Sequence, residues 1–82
     1  MSAHTFSENE EERRRLRRLQ LLVAMTGSIL SQSADLTPEK ASAMIDDCRS
    51  AALALFPGKE LAFDLIYKPR LERVVRERFC IA

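Results

Sequence analysis

Histidine, cysteine and glycine are scarce in this chain of 82 residues, which has one histidine, two cysteines and two glycines. His4 has neither a nucleophile nor a ligand partner nearby in sequence, so the commonest general base is missing. Cys48 and Cys80 are too few for a disulfide framework and lack metal-ligand spacing, so both are expected as reduced, core-like side chains. Gly27 and Gly58 stand apart and form no phosphate-cradling loop. The adjacent carboxylates Asp46 and Asp47 diverge by roughly 100° on a helix and make no converging acid pair. Tyr67 reads as an aromatic at the edge of a core. Together these absences argue against an enzyme and leave no catalytic residue, cofactor or metal to assign.

Long apolar runs are also missing. No stretch reaches about 18 residues, the length a membrane-spanning helix needs. Nothing before residue 16 is apolar enough for a signal-peptide core. The ending Phe79-Cys80-Ile81-Ala82 puts its cysteine third from the end, which breaks the prenylation pattern. The expectation is a soluble, cytoplasmic protein with no membrane partner. Strands lack a candidate as well, because the only β-branched cluster, Val74-Val75, sits inside a helical pattern.

The remaining composition is that of one small helical domain, 46% apolar and 30% charged. A chain this short buries only roughly two-thirds of its unfolded surface, so a partner that covers more of it would add stability. The net charge of +1 hides a segregation, since residues 8–12 carry −4 and residues 13–18 carry +5. A second basic block contains Lys68, Arg70, Arg73, Arg76 and Arg78, diluted by Glu72 and Glu77.

Residues 1–6 lack periodicity and are expected as a disordered leader, with residues 7–82 as a single helical domain. Ser7 followed by Glu10 has the spacing of a capping box, and the acids beyond it suit the positive end of a helix dipole. Glu10–Arg14 and Glu11–Arg15 have the favourable i,i+4 order. The first helix is therefore expected from about residue 8 to about residue 32. Ser31 to Thr37 reads as a connection. Thr37-Pro38 then reads as an N-cap with proline at the first helical position, opening a second helix that ends at Leu55 or Phe56. Its apolar stripe is Ala41, Met44, Ile45, Cys48, Ala52, Leu55 and Phe56.

Phe56-Pro57-Gly58 ends that helix, and a third helical region starts near Lys59. Pro69 interrupts it, removing a hydrogen bond at a cost of roughly 3 kcal/mol. The fold class expected is all-α, a small bundle of three helices, the third kinked or broken at Pro69 to give a possible fourth. On this reading Pro69 redirects the stripe Leu71, Val74, Val75 and Phe79 back over the other helices, and Pro69→Ala lowers stability.

The first helix carries the strongest functional signal. Leu16, Leu19, Val23, Thr26 and Leu30 share one face, Leu22, Met25 and Ile29 extend it, and Leu21 lies further round. That apolar arc exceeds the stripe of roughly 100° that a peripheral helix needs. Either the helix is central to the bundle, or one side of it packs on another subunit. Its length makes the charged N-terminal turns project beyond the other helices. The candidate partner-binding residues are Arg13, Arg14, Arg17, Arg18, Leu21, Leu22 and Met25. The expectation is a non-enzymatic interaction module, a homodimeric adaptor or regulator, with an acidic protein surface as a further candidate partner. The alternative is a nucleic-acid-associated regulator that uses the arginine cluster. The neighbouring glutamates and the lack of interleaved aromatic or amide readers count against it. An unbroken third helix would also keep the second basic block away from the first.

Overall fold

The computed structural model describes residues 3–79. Three helices follow one another in the chain, α1 (Ala3–Gln32), α2 (Pro38–Leu55) and α3 (Glu60–Arg78), and no strand occurs among the described residues. The all-α expectation therefore holds. α1 begins ahead of the expected start at residue 8, so Ser7 lies inside the helix rather than at its N-cap. Met1, Ser2 and the last three residues, Cys80 among them, lie outside the described residues.

The opening of α2 follows its local chemistry. The Thr37 hydroxyl oxygen accepts the Lys40 backbone N–H at 3.1 Å, and Pro38 stands at the start of the helix, where its missing N–H removes nothing. Leu36 precedes the cap and Ala41 is the fourth helical residue. These are the two positions of a hydrophobic staple, and both side chains are buried. At the other end the Phe56 N–H donates to the Ala52 carbonyl at 2.9 Å. Gly58 then turns the chain with φ of 82°, a left-handed conformation open to glycine at no steric cost.

Pro69 does not divide the last helix. α3 runs without interruption from Glu60 to Arg78, so there is no fourth helix among the described residues. The physical reason is position. Pro69 and Leu65, whose carbonyl the proline leaves without a donor, are both exposed, so water can replace the lost hydrogen bond. The ring also sits away from the residues that α3 buries, Phe63 and Leu71.

Each helix packs on both others. α1 and α2 are antiparallel across the short connection after Gln32, as α2 and α3 are across the Pro57-Gly58 turn, which makes α1 and α3 parallel. The core comprises Leu19, Leu30, Leu36, Ala41, Ile45, Cys48, Ala52, Phe63 and Leu71, flanked by half-buried Leu22, Val23, Met44, Leu55, Tyr67, Val74 and Val75. Cys48 is buried and free, as expected. Thr26 is the one polar side chain buried here among the described residues, and its hydroxyl donates to the Leu22 carbonyl at 2.8 Å. Such back-bonding lets threonine sit in a buried helix face without an orphaned hydroxyl.

At 1.5 Å per residue the 30 residues of α1 extend about 45 Å, against about 27 Å for the 18 residues of α2. The molecule is accordingly elongated, with extents of 53 × 22 × 18 Å. None of its helices is long and apolar enough to cross a membrane among the described residues.

Candidate functional site

The excess length of α1 lies at its N-terminal side. From Asn9 to Arg18 no side chain is buried, and Leu19 is the first that is. This stretch forms an arm rooted where Leu16 approaches Phe56. Arg13, Arg14, Arg17 and Arg18 are all exposed on it. Of the two ion pairs expected along the arm, Glu11–Arg15 closes at 3.8 Å while Glu10–Arg14 does not. At roughly 100° per residue, successive arginines point to different sides of the helix, interspersed with Glu10, Glu11 and Glu12. The arm therefore has charge of both signs around its circumference and no single basic face.

Above the root, α1 faces the core with Leu19, Thr26 and Leu30 and the solvent with Leu21, Met25 and Ile29, which are 60%, 55% and 47% exposed. Leu22 is half-buried and packs against the core, so it is only partly available to a partner. Arg18, Leu22, Met25, Ile29 and Gln32 recur at alternating intervals of four and three, the spacing of a seam between two nearly aligned helices, with Leu21 beside it. The wide apolar arc read from the sequence thus divides in two. One part contacts both other helices, and the other is uncovered.

A second apolar surface opens at the root of the arm. A groove of about 330 Å³ is lined by Leu16, Leu19, Phe56, Phe63, Ile66 and Tyr67, with Lys59 at its edge. An adjoining recess of about 400 Å³ shares Leu16 and Phe56 and is bounded by Asn9, Glu12 and Arg13. The Phe63 and Tyr67 rings meet with centroids 5.8 Å apart at 39°, and the Arg70 guanidinium lies 5.9 Å from the Tyr67 ring centre. A cation at that distance interacts favourably with the ring face. In the sequence Leu16 and Phe56 belong to the patterns of separate helices and Tyr67 reads as an aromatic at the edge of a core. Their convergence depends on packing that no local spacing encodes.

The remaining charged contacts hold the bundle together. Arg49 of α2 donates two hydrogen bonds to the Asp64 carboxylate of α3, at 2.8 and 3.1 Å. These bonds, opposed by partial desolvation and aided by the Arg49 and Lys68 charges, hold the Asp64 carboxyl below its ordinary range. The same bonds, aided by the Asp64, Glu60 and Asp46 charges, raise the Arg49 guanidinium above its own. Arg78 at the end of α3 donates to the Leu30 carbonyl at 3.2 Å and to the Ser33 carbonyl. It satisfies carbonyls at the C-terminal end of α1, where the helix has no internal donors left. Arg78 therefore lies at the opposite end of the molecule from Arg13 and Arg14. Because α3 is unbroken, the two basic blocks are not joined.

Asp46 and Asp47 are both exposed on α2. No group of three His, Cys, Asp or Glu side chains among the described residues is arranged to hold a metal ion. The surfaces this chain does build are an apolar seam and an apolar groove, with cations at the edges of both. Compared with family models, with curated proteins and with solved structures, the chain matches none.

Proposed function

We propose that this chain is a helical interaction module that acts by binding rather than by catalysis and self-associates as a homodimer through α1. The observation that carries the reading is the solvent-facing row Leu21, Met25 and Ile29 on a helix whose opposite face is already committed to the core. Large apolar side chains grouped in this way mark a protein-binding surface, whereas isolated ones would not. The free, buried Cys48 suits a reducing, cytoplasmic setting.

The strength of association follows from the size of the seam. Fully burying a leucine-sized side chain is worth about 1.5–3 kcal/mol, so half-exposed ones offer roughly 1 kcal/mol each. Six such side chains across two copies offer roughly 6 kcal/mol in all, equivalent to a dissociation constant of about 40 μM before the entropy lost on association is subtracted, so the dimer is expected to be weaker than that. Charge favours the antiparallel orientation. A parallel pair lays the Arg14 and Arg18 side of the arm beside its own copy, whereas an antiparallel pair brings it toward the partner end that carries Asp35 and Glu39. The mixed signs around the arm support protein contact over nucleic acid, because Glu10, Glu11 and Glu12 would repel the same phosphates that the arginines attract.

The reading is tested by unfolding the protein over a range of concentrations. The melting temperature is expected to rise with concentration, because association stabilises the folded state by mass action. Leu21→Glu is expected to abolish that rise while leaving the helical signal of the folded monomer. A melting temperature independent of concentration in the unaltered chain contradicts self-association.

A further inference from the structure

The groove at the root of the arm is separate from the self-association seam. Leu16 and Met25 are nine residues apart, about two and a half helical turns, so they project from opposite sides of α1. An occupant of the groove therefore leaves the seam free. Ile66 is 48% exposed at the groove, a large apolar side chain beside an aromatic pair and left open to water. Its surroundings are cationic. Lys59 lines the groove, Arg13 borders the adjoining recess, and Arg70 lies against the Tyr67 ring. Glu12 is the one acid among the residues lining the two depressions.

We propose that this groove docks an acidic amphipathic helix of another protein, its apolar anchors seated on Leu16, Phe63 and Ile66 and its flanking carboxylates facing Lys59, Arg13 and Arg70. An amphipathic helix presents anchors at intervals of three and four residues, a pattern that suits an apolar depression with several large side chains exposed along it, here where residues of all three helices meet. The rim supplies the discrimination. A carboxylate beside Lys59 or Arg13 is attracted, and a lysine in its place leaves like charges opposed, which lowers both encounter rate and affinity. A bare lipid surface fits less well, because the groove is recessed between helices and Glu12 at its border opposes anionic headgroups.

The test uses the full chain and two labelled peptides of about 14 residues, a helix of about 20 Å. Both carry leucines in one seam; one has glutamates on the flanking positions and the other has lysines there. Fluorescence anisotropy is expected to show saturable binding of the acidic peptide, at least about tenfold tighter than that of the basic one. Ile66→Ser and, separately, Lys59→Glu are each expected to weaken it several-fold. Both positions are exposed, and an unchanged melting curve will show that the fold is intact. Met25→Glu, which removes the self-association seam, is expected to leave peptide binding as it was, so failure of the dimer and failure of the groove are told apart. Equal affinity for the two peptides overturns the proposal, as does no saturation by the acidic peptide at millimolar concentration. Undiminished binding in Ile66→Ser overturns it too, as does self-association that depends on Ile66, or binding to phosphatidylglycerol vesicles but not to the peptide.

Discussion

Arg13, Arg14, Arg17 and Arg18 stand in solvent on the arm of α1, whereas Arg78, from the second basic stretch, in α3, reaches back to the carbonyls of Leu30 and Ser33 and closes the far end of the bundle. In sequence both stretches are rich in arginine with glutamate close by, Glu10, Glu11 and Glu12 ahead of the first and Glu72 and Glu77 within the second. In the fold one is extended past the other helices and the other is drawn into the structure. What separates them is what lies alongside. Near the end of α3 there are unpaired helix carbonyls to satisfy, and along the arm there is no neighbouring helix. A cationic run is thus no function in itself, and its meaning depends on whether the packing leaves it an internal partner.

The comparison is sharpened most by removing one arginine from each stretch. Arg78→Ala leaves the Leu30 and Ser33 carbonyls without their charged donor and is expected to lower stability by about 1–3 kcal/mol. Arg14→Ala is expected to change it by less than about 0.5 kcal/mol, as is usual for an exposed position with no partner. Urea denaturation of the two variants checks this, and equal losses would erase the distinction between the segments.

Pro69 tests why the stretches lie at opposite ends. Its alanine variant was expected from sequence to misdirect the end of the chain and lose stability. In a helix that already continues through an exposed proline, the same change restores a backbone donor within an existing geometry. Pro69→Ala is therefore expected to raise stability by about 1–2 kcal/mol, read from the thermal midpoint. A fall would mean that the proline shapes the end of α3 after all.

The smallest effect concerns pH. The Asp64 carboxyl is depressed in the folded chain, chiefly by the hydrogen bonds from Arg49. A depressed carboxyl adds stability that is fully present above its ordinary value of about 4 and is lost as pH falls through its folded value. Between about pH 4 and pH 2 the unaltered chain is therefore expected to lose more stability than Asp64→Asn, measured by urea midpoints at each pH. Because both side chains are partly open to water, the difference will be modest. Parallel curves would show that the pair adds nothing.

Much of this fold is legible where its chemistry is local. Thr37 and Pro38 announce the start of α2, and the stripe Ala41, Ile45, Cys48 and Ala52 is buried as its spacing requires. Leu19, Thr26 and Leu30 point inward as the pattern in α1 indicates. The course of α3 through Pro69 was not legible, because helix periodicity does not say which side of a helix faces water. Leu36 gives no signal inside its polar connection, since one apolar residue carries no period, yet it is buried. The pairs Arg49–Asp64 and Arg78–Leu30 lie 15 and 48 residues apart in sequence, beyond any local pattern. Of the candidate site, Leu21 and Met25 are exposed, Leu22 is half committed to the core, and Ile29 extends the exposed row. The groove around Ile66 had no signal of its own in the sequence.

Self-association through the exposed row of α1 is tested most directly by sedimentation equilibrium from about 10 μM to about 1 mM, comparing the unaltered chain with Met25→Glu. The expected result is a mean mass that climbs with concentration from 9.3 kDa toward twice that value in the unaltered chain and stays at 9.3 kDa in the variant. A chain that sediments at 9.3 kDa throughout contradicts the account, as does a dimer that survives Met25→Glu.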